Sequence, residues 1–111
     1  MEKFMLIFHG GSHTSASPEQ MQAQMGKWMA WIDKLAKKEQ YITGEPLLPG
    51  GKLISGKKKT ATDGPYTEGK EVVGGFFLIK AENIDEAIKI CDDYPDYENG
   101  GAVQVRQVMK M

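Results

Sequence analysis

Two segments of the chain are apolar at consecutive positions, and they constrain the fold more than any other feature. Residues 4–8 read FMLIF, and residues 72–80 read VVGGFFLIK. A β-strand points successive side chains to opposite faces of its sheet, so a strand that is apolar on both sides needs a cover on both faces. We therefore predict two central strands, with helices over one face and a further partner over the other.

Two amphipathic helices are predicted between the strands. Ser17, Pro18 and Gln20 form an N-cap signature before a helix over residues 18–38. Asn83 and Glu86 form the same kind of signature before a second helix. The apolar positions of both helices are expected to be buried: Met21, Met25, Trp28, Ile32 and Leu35 in the first, and Ile84, Ala87, Ile88 and Cys91 in the second.

The order of these elements predicts an α+β fold. Weaker strands are expected at residues 42–48 and 102–109, and a short hairpin arm at residues 52–62. The resulting order is that of the ferredoxin-like βαββαβ sandwich, in which an antiparallel sheet carries both helices on one face. A length of 111 residues suits a single domain spanning residues 1–111. We expect a second copy to cover the open sheet face, which gives a homodimer.

Composition and charge exclude several classes of protein. A net charge of −1 gives no long-range attraction to nucleic acid or to an anionic membrane, and the basic run at 56–59 is interpreted as a solvated hairpin tip. The apolar run near the N-terminus is too short for a signal peptide or a membrane span. The single cysteine, Cys91, suits a cytoplasmic location. The two histidines have no acidic or cysteine cluster near them in sequence, so we expect no metal and no other cofactor.

Two residues are candidates for proton transfer. Asp63 begins the Asp-Gly-Pro turn, and a carboxylate beside an apolar cavity can act as a general acid or base near neutral pH. The same tripeptide is also a favourable turn, so a purely structural role stays open. His9 ends the first strand on the face shared with Met5 and Ile7, where it could transfer protons or simply bond to solvent.

Two further residues are candidates for substrate binding. Arg106 points away from Val103 and Val105, so it could hold a carboxylate of a ligand in a bidentate fork or pair with a glutamate across a dimer. Tyr66 could donate a hydrogen bond from its loop, or only pack with its ring.

The central string of the chain resembles a known family. TDGPYTEGKEVVGGFFLIKAENIDEAIKICDDYP, followed by GGAVQVRQV, is similar to the DGPF-type branch of the YCII-related domain family, and MLIFHG and ITGEPLLP also fit it. The resemblance implies ferredoxin-like domains that dimerise as dimeric α/β barrels around a cavity. It also implies a function that is mostly unassigned: one related branch includes a dehydrochlorinase of a chlorinated aromatic, and other members occur near or fused to sigma factors.

This chain departs from the family pattern at two positions. Tyr66 replaces the phenylalanine of the DGPF motif, which adds a hydroxyl group. One branch places a histidine on the first helix, where it is proposed to pair with an aspartate, and the corresponding position here is Trp28. Of that pair, the resemblance therefore carries over only Asp63.

These observations predict a small-molecule-binding protein and leave open whether it is an enzyme. As an enzyme, it would carry out proton transfer, isomerisation or elimination on a small cyclic or aromatic acid without a cofactor, which the resemblance implies more strongly than the residues do. The alternative is a non-catalytic binding or regulatory module associated with a sigma factor. A third possibility is a structural dimer whose cavity is filled by its own side chains.

Overall fold

The computed structural model describes residues 1–10, 17–48, 50–63 and 72–111. Its strands are β1 (Glu2–His9), β2 (Tyr41–Pro46), β3 (Lys52–Ser55), β4 (Thr60–Asp63), β5 (Val73–Ala81) and β6 (Ala102–Gln107). Its α-helices are α1 (Pro18–Lys37) and α2 (Ile84–Ile90), and α2 is followed by two short 3-10 turns, Cys91–Asp93 and Tyr97–Asn99. The predicted hairpin arm is present as β3 and β4.

The main sheet has the strand order β2-β5-β1-β6, and each neighbouring pair is antiparallel. The two segments that are apolar at consecutive positions are β1 and β5, and they form the centre of this sheet. The fold is therefore the predicted α+β ferredoxin-like arrangement, with both helices packed on one face.

The core lies between that face and the helices. Phe4, Leu6 and Phe8 of β1 alternate toward the helices, and each is at most 5% exposed. The Phe8 ring lies 5.8 Å from the Trp31 ring of α1 and 5.0 Å from the Phe77 ring of β5, measured between centroids. Strand alternation thus puts half of each central strand into one aromatic-rich core.

The two glycines of β5 have different structural roles. Phe8 pairs with Gly75 and His9 pairs with Val73, so Gly74 is an extra residue at a β-bulge. A Cβ atom at Gly75 would lie 2.8 Å from the backbone oxygen of Glu45 on β2. A side chain at Gly75 would therefore clash with β2, whereas a Cβ atom at Gly74 would meet only the backbone oxygen of Phe8, at 4.0 Å.

Both predicted N-caps are confirmed. Ser17 accepts a hydrogen bond from the Gln20 amide at 3.1 Å, and the Gln20 side chain accepts one from the Ser17 amide at 2.9 Å, which completes a capping box. Asn83 accepts a hydrogen bond from the Glu86 amide at 2.9 Å. These bonds satisfy amides that the first turn of a helix leaves free.

The buried side of α1 was predicted wrongly in its first half. Met21 and Met25 are more than half exposed, whereas Trp31 and Leu35 are buried. The reason is Gln24, whose side-chain amide donates to the Pro95 carbonyl at 3.0 Å and turns that side of the helix inward. At 3.6 residues per turn, the residues that share a side with Gln24, and not with Met25, face the core. This side contains Gln24, Trp28, Trp31 and Leu35.

The buried side of α2 was predicted wrongly at two positions. Ile84 and Ile88 are 45% and 51% exposed, while Ala87 and Cys91 are buried. The small side chains of Ala87 and Cys91 let the helix backbone lie close to the sheet, and the larger isoleucines fall on the flank.

Candidate functional site on the open sheet face

The sheet face opposite the helices has an apolar centre, which we call the open face. It contains Met5 and Ile7 of β1, which pair with Leu78 and Phe76 of β5. These four side chains are partly exposed, and no described helix or strand lies over them. The chain therefore presents an apolar patch that nothing in its described part covers.

His9 borders this patch at the end of β1. It lies two positions after Ile7 and four after Met5, so it shares their face of the sheet. Its Nε2 atom lies 3.1 Å from Oε1 of Gln104 on β6. If Gln104 Oε1 is the acceptor, Nε2–H of His9 donates the bond, and Nδ1 of a neutral imidazole is left as a proton acceptor. The hydrogen bond thus orients the ring and leaves one nitrogen available for chemistry.

Arg106 borders the patch on the same edge strand. It pairs with Met5, so it shares the open face with His9, as its sequence position predicts. Four residue positions along the sheet separate the two, or about 13 Å at a rise of roughly 3.3 Å per residue. Arg106 is exposed and makes no hydrogen bond or ion pair within the described ranges. It is therefore free to bind an anion from outside the chain.

Glu45 and Gln104 complete the border, and the sequence reasoning did not single them out. Glu45 lies opposite Phe76 on the edge strand β2, and it is exposed. Strand alternation was the signal that could have found Gln104, because it places this residue on the same face as Arg106. It could not have found Glu45, since the register shift between Tyr41 and Thr43 puts Glu45 on the opposite face from Tyr41. The open face thus has a carboxylate on one edge strand, β2, and a guanidinium on the other, β6.

Asp63 belongs to a different sheet from His9 and Arg106. It ends β4 and lies opposite Lys52 in the two-stranded sheet of the hairpin. The described backbone does not place it in the four-stranded sheet. Tyr66 lies outside the described residues. The roles of Asp63 and Tyr66 stay predictions.

Trp28 is part of the aromatic core on the helix-covered side. Its ring centroid lies 5.0 Å from that of Phe8 and 5.6 Å from that of Tyr94. Burial, and secondarily the charge of Asp96, raises the pKa of Tyr94 to about 12, so its hydroxyl stays protonated near neutral pH. This region of the core packs aromatic rings together.

A buried carboxylate, also missed in the sequence, fixes the loop after α2. Asp96 is 4% exposed and accepts hydrogen bonds from the side-chain amides of Gln24 and Asn99. It joins the loop to α1, which explains why Gln24 faces inward. Cys91 is buried as predicted: its Sγ donates to the Ala87 carbonyl at 3.4 Å, and burial raises the pKa of its thiol to about 11. A thiol in this environment is a poor nucleophile.

Two features are absent from the described ranges. No group of three or more His, Cys, Asp or Glu residues there is placed to hold a metal ion. None of the helices there is long and apolar enough to cross a membrane.

Comparisons with known proteins agree with this fold. The YCII-related domain family model matches residues 3–111. One similar solved structure is the 5-chloro-2-hydroxyhydroquinone dehydrochlorinase of Burkholderia phenoliruptrix, in complex with 2,5-dihydroxybenzoquinone. It is 20% identical with a TM-score of 0.50, and the alignment covers 97% of this chain and 95% of that one. No curated protein matches the chain.

Proposed function

Because the chain belongs to the YCII-related domain family, we propose that it is a small-molecule-binding protein that works as a homodimer. The observation that carries this proposal is the open face, where His9 and Arg106 border a patch of apolar side chains. An apolar patch with a few convergent polar groups is the usual character of a ligand site.

The dimer supplies the cover that the sheet lacks. Burying apolar surface stabilises a protein by roughly 25 cal/mol per Å², so two such faces favour packing against each other. A twofold interface presents the same patch from both subunits. The four border residues would then surround a cavity between the sheets, with the apolar centre as its walls.

The ligand class is a small cyclic or aromatic acid. The apolar centre suits the face of a ring, and the Arg106 guanidinium, which has no partner within the described ranges, can donate two parallel hydrogen bonds to a carboxylate. The similar dehydrochlorinase is in complex with 2,5-dihydroxybenzoquinone, a small oxygen-substituted ring. That ligand motivates the choice of class and does not by itself identify the ligand of this chain.

The chemistry proposed for an enzyme of this kind needs no cofactor. His9 Nδ1 would remove a proton from a ring carbon, because Gln104 holds the opposite nitrogen as a donor. The released C–H electron pair then either shifts within the ring, where a second carbon takes the proton back from His9 and gives an isomer, or forms a double bond as a leaving group departs with its own pair, after which His9 passes the proton to solvent. Asp63 is the second candidate base, and Tyr66 the second candidate for substrate orientation.

The alternative function is a non-catalytic binding or regulatory module, such as a partner of a sigma factor. Trp28 favours this alternative, because the position where one branch of the family has a histidine is here packed among Phe8, Phe77 and Tyr94. A cytoplasmic location suits both functions and stays a prediction.

A ligand screen with matched variants tests the proposal. We expect small aromatic and lactone acids to raise the melting temperature of the wild type and not of Arg106→Gln, because the guanidinium is the anion-binding group. Lys89→Gln is the control, since it removes one exposed positive charge from α2. His9→Gln should keep binding and lose any turnover. Equal shifts in the wild type and Arg106→Gln would contradict the proposed site.

A charge exchange tests the other role of Arg106. If it pairs with Glu45 of the second subunit, Arg106→Glu and Glu45→Arg should each weaken the dimer, and the double variant should restore it. Restoration would assign Arg106 to the interface and not to a ligand. Sedimentation velocity over a range of concentrations measures the dimer in each variant.

A further inference from the structure

The β3–β4 hairpin, residues 52–63, which we call the arm, makes few contacts with the other described helices and strands. Every side chain from 52 to 62 is exposed, including the apolar Leu53 and Ile54. No face of the arm is therefore covered within the described ranges.

A two-stranded hairpin by itself is only marginally stable in water. The arm adds to this weakness, since Leu53 and Ile54 lie on opposite faces and both remain in solvent. A hairpin of this kind is stabilised when another surface covers at least one of its faces. In the described structure, the body of the same chain does not supply that surface.

The arm and one region of the body carry opposite charges. The arm has four lysines and one aspartate, and Lys57, Lys58 and Lys59 at its tip make no ion pair within the described ranges. Residues 82–98, which we call the acidic segment, hold seven of the fifteen acids of the chain and one lysine. Among them, Asp92 and Glu98 are exposed and form no ion pair with a described residue.

We infer that the arm docks on the acidic segment of a second copy of the chain. This inference rests on the homodimer proposed above and adds a second contact to it. The lysines at the tip would lie against Asp92 and Glu98, and one of the two exposed apolar residues would become covered. A twofold dimer would make this contact twice, because each subunit offers one arm and one acidic segment.

The charges favour a second copy over a nucleic acid. The chain has a net charge of −1, so a polyanion that approaches the arm also meets the repulsion of the acidic segment. No aromatic side chain accompanies the lysines between residues 52 and 63 to stack on a base. A second copy brings its own acidic segment, which the basic tip attracts.

Zero-length cross-linking tests the contact directly. Isotopically heavy and light subunits are mixed, allowed to exchange, and treated with a carbodiimide, which joins a lysine amine to a carboxylate it touches. We expect heavy–light hybrid peptides that join Lys57, Lys58 or Lys59 to Asp92 or Glu98. If the protein sediments as a dimer and these hybrids are absent, the inference is wrong while the homodimer stands. A monomer at all concentrations overturns both.

Charge reversal supplies an independent measurement. Changing Lys57, Lys58 and Lys59 to glutamate should raise the dimer dissociation constant about fivefold or more, since each exposed ion pair contributes little but the contact is made twice. Adding Asp92→Lys and Glu98→Lys should restore it. Lys27→Glu with Lys38→Glu on α1 is the control. An unchanged dissociation constant, with duplex DNA binding lost in the reversed arm, would assign the arm to nucleic acid and overturn the inference.

Discussion

The two faces of the main sheet differ in what completes them. On β1, the helix-facing Phe4 and Leu6 are fully buried, whereas the alternate residues Met5 and Ile7 stay partly exposed. Both sets are equally apolar. The helix-covered face is completed by α1 and α2 of the same chain, and the open face has no such cover within the described ranges.

This difference shows how one strand can serve two purposes. Apolar residues on the covered face stabilise the fold of a single chain, because their burial depends on nothing outside it. Apolar residues on the open face stabilise only what binds there, whether a second subunit or a ligand. Stability measurements on neighbouring residues of β1 can therefore separate folding from association.

The largest expected effect is at Leu6, and its neighbour Ile7 is the matched comparison. Leu6→Ala should lower the free energy of unfolding by about 2–5 kcal/mol at every protein concentration, because it leaves a cavity in the core. Ile7→Ala should cost less in dilute solution, and its cost should grow with concentration as the dimer forms. Urea denaturation at several protein concentrations measures both.

The distinction fails if Ile7→Ala lowers the free energy of unfolding as much as Leu6→Ala does, and by the same amount at every protein concentration. The open face would then be covered within one chain. The more severe Ile7→Lys variant checks the association separately: it should give a folded monomer, since the charge points to the open face and not into the core.

A smaller effect is expected from high pH, and it belongs to the covered side. Burial raises the pKa of the Cys91 thiol from 9.0 to about 11, so the folded state holds this proton more tightly than the unfolded state does. The stabilisation from Cys91 is complete below pH 9 and is lost as the pH rises toward about 11. The free energy of unfolding should fall by about 2 kcal/mol between pH 8 and roughly pH 10.5 through this group.

Comparison with Cys91→Ala isolates this contribution, because the lysines and tyrosines that also titrate are common to both proteins. The variant should lose less stability than the wild type over the same range in urea denaturation. Identical pH profiles would contradict the raised pKa. Slow alkylation of the native thiol at pH 8, and fast alkylation in denaturant, is the second expected result.

Much of the fold could be predicted because the signals for it are local. The caps at Ser17 and Asn83 depend on residues three positions away, and the central strands depend on alternation within a few residues. The shared face of His9 and Arg106 also follows from alternation. The sequence could not supply the His9–Gln104 bond, because it joins residues 95 positions apart through the register of β1 and β6.

The rotation of α1 could not be predicted for a similar reason. The stripe that includes Met21 and Met25 has a good helical period, yet Gln24 is the residue that faces inward. Its partners, the Pro95 carbonyl and Asp96, belong to a loop at the other end of the chain. A hydrophobic stripe reports which side of a helix is apolar, whereas a distant hydrogen-bond partner decides which side is buried.

The smallest expected effect is at the end of α1, where a substitution should change the stability of the fold without changing the dimer. Glu39 has a φ of 58°, in the left-handed region, and its amide and that of Gln40 bond to the carbonyls of Ala36 and Leu35. This is a Schellman arrangement, in which glycine avoids the strain that a side chain brings. Glu39→Gly should therefore raise the free energy of unfolding by about 1 kcal/mol. The dimer dissociation constant should not change, because the end of α1 belongs to neither the open face, the arm nor the acidic segment; a change in that constant would mean that the end of α1 belongs to the interface.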